Sequence, residues 1–183
     1  MDFKQNYFEL FQLPIAYQID SHRLNTAFRE LQNQIHPDRF AHGSEAEKLS
    51  SVQASSFVNE AYVTLKSPVS RAHYLVELAG VAIDLSANTI ADGAFLMQQM
   101  ELREQLEEVS GASDPEAVLE KIARQVHATL TDLCSNFETL SGQWDFSRLD
   151  LNVIGKGAQL VYQMKFLEKL GIEIEGIEQA LLD

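Results

Sequence analysis

Three consecutive residues, His36, Pro37 and Asp38, bring together the side chains best suited to chemistry in this sequence. An imidazole and a carboxylate two positions apart suit a metal site, an acid–base pair, or a shaped loop that another protein recognises. A metal site needs at least one further ligand. The other histidines stand at no ligand spacing: His22, His42, His73 and His127. We therefore expect no bound metal and no cofactor.

Catalysis by the same pair is the second possibility. A small hydrolase that uses His36 and Asp38 also needs a nucleophile and a pocket. The sequence contains no nucleophile elbow, no glycine-rich phosphate loop and no HExxH helix. We therefore assign no catalytic residues and expect that the protein is not an enzyme, with the hydrolase kept as an alternative.

The elements around the triplet place it at the tip of a helical hairpin. Asp20 or Ser21 can cap the preceding helix, and Pro37 ends that helix because a residue before proline avoids helical geometry. Its apolar positions share one face: Leu24, Ala27, Phe28, Leu31 and Ile35. A polar loop, RFAHGSEAEK, is expected to follow the triplet. The next helix has its own apolar face, formed by Val58, Ala61, Tyr62 and Leu65.

Two shorter helices complete the first half of the chain. An apolar piece over residues 6–13 precedes the hairpin and stops at Pro14. After the hairpin, Ser67 and the proline that follows it begin a helix that Gly80 ends. Residues 81–93 mix small and polar residues without a clear period, which indicates a connector between two domains.

Three helices are predicted in the second half. The first covers about residues 94–109, a capping box at Ser113–Glu116 begins the second, and the third lies between residues 147 and 170. The second helix has a long apolar stripe: Leu119, Ile122, Ala123, Val126, Leu130, Leu133, Phe137 and Leu140. The third has a shorter one: Leu149, Val153, Leu160, Met164 and Leu167. Gly155 and Gly157 fall inside it and allow a break.

The fold class that these patterns predict is all-α. A helical hairpin domain over residues 1–75 is expected to pack with a three-helix bundle over residues 94–183, with residues 76–93 as the end of a helix and a linker.

Composition restricts the partners of this chain. Its 183 residues carry a formal net charge of −13, which disfavours binding to nucleic acid. The single cysteine, Cys134, rules out an internal disulfide and suits a reducing compartment. The N-terminal residues do not resemble a signal peptide, and no apolar run is long enough to span a membrane. We therefore expect a cytoplasmic protein without nucleic-acid or membrane partners.

The helix over residues 94–109 has two apolar faces. Its core face is expected to carry Phe95, Leu102, Leu106 and Val109. The other face carries Leu96, Met97 and Met100 beside Glu101, Glu104 and Glu107. A small bundle covers only one such face easily. The second face therefore either packs under the first domain or the connector, or docks on another protein.

The hairpin resembles the J-domain of DnaJ-type co-chaperones. The resemblance rests on YFELFQLP, on the His36–Asp38 triplet between two helices, and on FVNEAYVTLKSP. It implies a docking loop that promotes ATP hydrolysis by a DnaK-type chaperone, with contacts from His36, Pro37, Asp38, Arg29 and Arg39. Such domains are usually lysine-rich before the triplet. Here the face opposite the apolar stripe is expected to hold Asn25, Arg29, Gln32 and Asn33, which predicts weak electrostatic steering.

The whole chain resembles the HscB family of iron–sulfur cluster assembly. The matching segments in the second half are SPVSRAHYLVELAG, FLMQQMELREQLEE and MKFLEKL, and the resemblance is weakest over residues 142–157. It implies that the C-terminal bundle binds an IscU-type scaffold and that the J-domain delivers this scaffold to the chaperone HscA. The matching scaffold-binding positions are Leu96, Met97, Met100, Glu101, Glu104 and Phe166. A J-protein for another client and a structural spacer without a partner are the remaining alternatives.

Overall fold

The computed structural model describes residues 3–40, 43–83, 93–148 and 150–182. Within these ranges the chain forms seven α-helices and none of the described residues lies in a strand, which confirms the all-α prediction. The helices are α1 (Tyr7–Leu10), α2 (Ser21–Ile35), α3 (Glu45–Lys66), α4 (Pro68–Leu78), α5 (Gly93–Glu108), α6 (Pro115–Ser141) and α7 (Leu151–Leu182). The chain divides into two compact units, Met1–Leu75 and Val76–Asp183.

Helices α2 and α3 form the hairpin of the first unit. Leu24 of α2 is buried, as are Val58, Ala61 and Leu65 of α3, so each helix turns its predicted apolar face inward. The ring of Tyr62, which is half-buried, stacks on Phe28 with centroids 3.9 Å apart. These contacts hold the two helices together and fix their relative register.

Side-chain caps decide where the hairpin helices begin. The carboxylate of Asp20 accepts hydrogen bonds from the backbone N–H groups of His22 and Arg23, so Asp20 rather than Ser21 is the cap of α2. These hydrogen bonds hold the pKa of Asp20 below its usual value, and the bond from Arg23 has the larger effect. A charged carboxylate at this position also suits the positive end of the helix dipole.

Helix α3 begins earlier than the sequence suggested. Ser44 caps it by accepting from the backbone N–H of Glu47, whose carboxylate in turn accepts from the backbone N–H of Ser44. The prediction of a loop over RFAHGSEAEK is therefore wrong in its second half. After the cap Ser44, the residues EAEK form the first turn of α3. A single turn of 3₁₀ helix, Pro37–Phe40, occupies the beginning of the connection.

A buried arginine closes the other end of the hairpin. Arg71 is 8% exposed, and its guanidinium donates to the carbonyls of Leu65 and Tyr17 at 2.6 Å each. The first of these carbonyls belongs to the last turn of α3, which has no intrahelical partner for it. The cation therefore satisfies the helix end and ties the loop before α2 to it.

The second unit is built around α5, α6 and α7. Its core contains the four residues predicted for α5, namely Phe95, Leu102, Leu106 and Val109, all of them buried. Helix α6 contributes Leu119, Ile122, Val126 and Phe137 to the buried set, while Ala123, Leu130, Leu133 and Leu140 are half-buried. The predicted α6 stripe is thus confirmed as a face. Its cap is Asp114, which accepts from the backbone N–H of Ala117, so the capping box at Ser113–Glu116 was wrong.

Helix α7 differs most from its prediction. It runs without a break through Gly155 and Gly157 to Leu182, because packing outweighs the low helix propensity of glycine. Its buried stripe is Ile154, Ala158, Val161, Met164, Leu167, Leu170 and Ile174. The predicted members Val153 and Leu160 are only half-buried, and Leu149 lies outside the described residues.

Gly157 is required by the chain segment that joins α6 and α7. A Cβ atom at this position would stand 2.7 Å from Cζ2 of Trp144. The indole also meets Phe137 edge to face, with ring centroids 5.6 Å apart. The absent side chain of Gly157 therefore makes room for the indole against α7.

Of the predicted connector, residues 84–92 lie outside the described residues.

Within the described part of the chain, no helix combines the length and the apolar character that crossing a membrane requires.

Candidate functional site

The His36–Asp38 triplet forms an internally bonded turn at the end of α2, in which His36 and Asp38 are exposed. His36 leaves the helix with φ −55° and ψ 129°, the geometry that a following proline favours. The backbone N–H of Arg39 then donates to the carbonyl of His36 at 3.0 Å. This bond closes the 3₁₀ turn and fixes the direction in which Asp38 projects.

His36 and Asp38 lie close together, and Nδ1 of His36 is engaged by the backbone. Nδ1 of His36 lies 3.3 Å from the backbone N–H of Asp38, from which it accepts a hydrogen bond, and 3.6 Å from the Asp38 carboxylate. A neutral ring that accepts at Nδ1 cannot also donate from that atom to the carboxylate. The two side chains are 53% and 91% exposed, so both are open to solvent.

Arg39 folds back onto the helix that precedes it. Its Nη1 donates to the carbonyl of Asn33 at 2.9 Å. That carbonyl belongs to the last turn of α2, where no intrahelical donor is available. Arg39, predicted as a contact for the chaperone, therefore has an internal role as well: it satisfies the end of the helix and braces the turn.

The exposed face of α2 differs from the predicted one. The side chain of Asn25 accepts from the hydroxyl of Tyr62 at 2.9 Å, and the amide of Gln32 donates to Asn59 at 2.6 Å. Both residues therefore face α3, and their assignment to the outer face was wrong. The residues that α2 exposes at the same three-and-four spacing are His22, Thr26, Arg29 and Asn33. This set is called the outer row of α2 below.

Arg29 is thus exposed as expected, but it is not the only charged residue on the outside of α2. Arg23 and Glu30 are exposed as well. The guanidinium of Arg23 donates to the carbonyl of Gln12 at 3.3 Å, so this cation is also used within the fold. The helical pattern alone did not single out Arg23, because a surface arginine near the start of a helix has no distinctive spacing.

The second apolar face of α5 is exposed to solvent. Leu96, Met97 and Met100 are 50%, 66% and 57% exposed, while Phe95 on the opposite face is buried. Glu101 and Glu104, both exposed, follow on the next turns. The apolar residues, the two acids and the exposed Arg103 form one surface, which is called the α5 ridge below.

The α5 ridge consists of two parallel rows. The first row contains Leu96, Met100 and Arg103, at spacings of four and three residues. The second row has the same spacings and contains Met97, Glu101 and Glu104. One row is therefore apolar with a basic end, and the other is mainly acidic. A partner that covers both rows meets apolar surface at one end of the helix and charge at the other.

Phe166 of α7 is a flank of the core rather than a fully exposed residue. Its half-buried ring meets the buried ring of Phe95 edge to face, with centroids 5.7 Å apart. The ring of Phe166 is therefore shared between the core and the surface. The guanidinium of Arg103 lies over the same ring, 5.8 Å from its centroid, and 3.9 Å from the carboxylate of Glu173.

Arg103 is a ridge residue that the sequence analysis did not select. The guanidinium lies over the ring of Phe166 and near the carboxylate of Glu173, both on α7. Arg103 therefore links the row of Leu96 and Met100 to α7. The available signal was compositional: Arg103 is the one basic residue in GAFLMQQMELREQLEE.

The described residues contain no group of three or more His, Cys, Asp or Glu side chains that could hold a metal ion.

Comparison with known proteins identifies the family. Residues 91–175 match the family model of the HSCB C-terminal oligomerisation domain. The co-chaperone protein HscB homolog of Photobacterium profundum is 43% identical over 178 residues, which cover 97% of this chain and 99% of that protein. A second HscB homolog, from Shewanella amazonensis, is 40% identical over 97% of this chain and 99% of that protein.

Solved structures agree with this result over almost the entire length. The chaperone HscB from Vibrio cholerae aligns with a TM-score of 0.82 at 38% identity and covers 97% of this chain and 99% of its own. The human co-chaperone protein HscB aligns with a TM-score of 0.86 at 28% identity, over 97% of this chain and 84% of the human one. The chain therefore belongs to the HscB family, the J-type co-chaperones of iron–sulfur cluster assembly.

Proposed function

We propose that the protein is a cytoplasmic adaptor with two binding surfaces, one for a chaperone and one for a scaffold. The unit Met1–Leu75 acts as a J-domain that docks on an HscA-type, DnaK-like chaperone and stimulates its ATPase. The α5 ridge binds an IscU-type scaffold and so brings it to the chaperone. The chemistry of ATP hydrolysis belongs to the chaperone, and the iron–sulfur cluster is cargo of the scaffold.

The exposed, pre-ordered His36–Asp38 turn is the observation that carries the proposal. The turn is fixed by its own hydrogen bonds and by the bond from Arg39 to Asn33, so little conformational entropy remains to be lost on docking. The carboxylate of Asp38 is 91% exposed. It can therefore accept a charge-assisted hydrogen bond from a basic group of the chaperone without first breaking a buried contact.

The two arginines near the turn have different roles in this proposal. Arg29 lies on the outer row of α2 and offers a cation to an acidic chaperone surface. Arg39 acts mainly through the turn, because one of its donors is already bound to the carbonyl of Asn33. With one such cation on the outer row, long-range attraction contributes little, and binding should depend only weakly on salt.

Apolar contact supplies most of the proposed scaffold affinity. Fully burying three side chains of this size yields about 1.5–3 kcal/mol each. Because Leu96, Met97 and Met100 are between 50% and 66% exposed, roughly 3–5 kcal/mol of this gross stabilisation is still to be gained. Association costs at least about 4 kcal/mol in lost translational and rotational freedom. Stable binding therefore needs further contacts beyond these three residues.

The flank of the ridge can provide those contacts. The half-buried ring of Phe166 lies under the guanidinium of Arg103, which is the last member of the row of Leu96 and Met100. Glu101 and Glu104 are exposed rim charges, each worth about 0–1 kcal/mol. We expect the acids to select and orient a basic surface of the scaffold, while the apolar residues set the affinity.

The proposal is tested by the ATPase rate of the purified chaperone in single turnover, with and without this protein. Wild type should accelerate phosphate release, and Asp38→Asn, which keeps the shape but removes the charge, should not. Equal acceleration by both proteins, or none by wild type, would contradict the chaperone half of the proposal. Addition of scaffold should increase the rate further, since the proposed adaptor delivers it.

A J-protein for a different client is the second candidate. The apolar character of the α5 ridge, which fits many partners, is the observation that keeps it open. In that case Asp38→Asn would still abolish the acceleration, but an IscU-type scaffold would neither bind nor increase the rate. Titration of the scaffold against the protein therefore separates the two candidates.

A further inference from the structure

One exposed row of α3 carries apolar residues and no charge. Its members are Leu49, Val52, Ser56, Asn59 and Val63, which recur at spacings of three and four and are all exposed. Leu49, Val52 and Val63 are 60%, 54% and 64% exposed. In a chain with a formal net charge of −13, an uncharged row of this length is distinct from the rest of the surface.

The register of the hairpin brings one end of this row level with the His36–Asp38 turn. Gln32 of α2 bonds to Asn59 of α3 at 2.6 Å, and the two helices run antiparallel. Val52 and Leu49 precede Asn59 in α3. Because the helices are antiparallel, they lie level with residues that follow the end of α2. The counterpart at that level is the 3₁₀ turn Pro37–Phe40.

The row also lies on the same side of the hairpin as the outer row of α2. Gln32 is the neighbour of Asn33 and stands one turn after Arg29, both of which belong to that outer row. Its amide reaches across to Asn59, a member of the α3 row. The two rows are therefore adjacent along this hydrogen bond, with the turn at their common end.

We propose that Leu49 and Val52 form an apolar extension of the chaperone docking surface, and that they receive an uncharged, apolar segment of the chaperone. This inference rests on the proposed function. The basic groups next to these two residues are poorly suited to supply the affinity. Arg39 already donates to the backbone carbonyl of Asn33, and Lys48 is paired with the carboxylate of Glu45 at 2.9 Å. A charged partner segment would lose solvation against leucine and valine without a compensating bond.

Glutamine substitutions test the inference, because glutamine has about the helix propensity of leucine and removes the apolar contact. For Leu49→Gln combined with Val52→Gln, the concentration that gives half-maximal ATPase stimulation should rise about tenfold. Stimulation at saturation should stay close to wild type, since His36 and Asp38 are unchanged. Val63 lies on the same row but far from the turn. Val63→Gln should therefore change the concentration that gives half-maximal stimulation by less than about twofold.

Matched variants separate this surface from a general loss of folding. Ile172 on α7 is 66% exposed, and Ile172→Gln makes a similar chemical change on the other unit. It should leave the half-maximal concentration unchanged. Leu49→Met keeps an apolar side chain and should retain wild-type behaviour, whereas Leu49→Gln alone should already weaken docking. Circular dichroism checks that each variant is folded.

The outcomes distinguish this inference from the function on which it rests. If Asp38→Asn abolishes stimulation while the double glutamine variant matches wild type, the extension is wrong and the docking loop stands. If wild type does not stimulate at all, both are wrong. If the double variant changes only self-association in sedimentation velocity, the row is a contact between copies of this chain and the inference is overturned.

Discussion

The guanidinium of Arg39 donates to the carbonyl of Asn33 across the end of α2, at 2.9 Å. This bond connects the residue after the triplet to the helix before it. It makes the turn part of the helix end rather than a separate loop. We expect a turn that is held in this way to change little in shape if a partner binds to it.

Removal of this bond should loosen the turn. In Arg39→Gln the carbonyl of Asn33 loses its cationic donor, which costs about 0.5–1.5 kcal/mol locally. The backbone amides of Arg39 and Phe40 should then exchange with deuterium several-fold faster, while those in the middle of α3 remain unchanged. Arg29→Gln, which removes an exposed cation from α2, serves as the control. Equal protection in both variants would show that Arg39 does not brace the turn.

The cap of α2 should make the stability of the first unit depend on pH in the acid range. The backbone N–H of Arg23, followed by that of His22, holds the pKa of Asp20 below its ordinary value of 3.8. A group with a lowered pKa in the folded state stabilises the fold above its unfolded pKa, and this contribution is lost as the pH falls through the folded pKa. Asp20→Asn keeps a cap that does not titrate.

The comparison of these two proteins isolates the carboxylate. The difference in unfolding midpoint between wild type and Asp20→Asn should be constant above about pH 5 and should move in favour of the variant below about pH 4. Glu47 and Asp145 also have lowered pKa values, but they titrate alike in both proteins. A difference that is independent of pH would mean that the charge of Asp20 does not stabilise the helix.

Gly157 and Gly155 should respond in opposite directions to alanine. A Cβ atom at Gly157 would meet the Trp144 ring at 2.7 Å, and overpacking of this kind costs about 1–3 kcal/mol. A Cβ atom at Gly155 meets nothing within 4 Å, so Gly155→Ala should stabilise α7 by about 0.5–1 kcal/mol. Urea unfolding measures both changes, and Trp144, the single tryptophan of the chain, reports them by fluorescence. Equal effects of the two alanines would contradict the close packing of Trp144.

The sequence predicted this architecture well where an apolar period was clear or a proline marked the end of a helix. The core face of α5 is the clearest example, because Phe95, Leu102 and Leu106 are all buried where the helical period puts them. Pro37 likewise marks the end of α2 correctly, since its effect on the preceding residue is steric and local.

The errors arise where packing between helices decides. Asn25 and Gln32 are polar, so the periodicity put them outside, but each forms a hydrogen bond to α3 that only the paired helices can provide. Gly155 and Gly157 suggested a break because propensity is local, whereas the packing of α7 against α6 is not.

The same reason limits what could be known of the α5 ridge from sequence. The two apolar faces of α5 are readable from their spacing, but which face is covered depends on the other helices. Arg103 was not predicted because its position over Phe166 joins α5 to α7, two elements far apart in sequence.

Binding of the scaffold should depend on the exposed apolar row more than on the acidic one. Met100→Ala truncates a side chain that is 57% exposed on α5. We expect the dissociation constant for an IscU-type scaffold, measured by calorimetry, to rise about tenfold. Glu104→Gln removes a rim charge and should cost less than about fivefold, mostly at low salt. Ile172→Ala, a change of similar size at an exposed site on α7, should have no effect. A scaffold that binds all four proteins equally would place the contact elsewhere. One that is lost only with Glu104→Gln would reverse the proposed roles of the apolar and acidic residues.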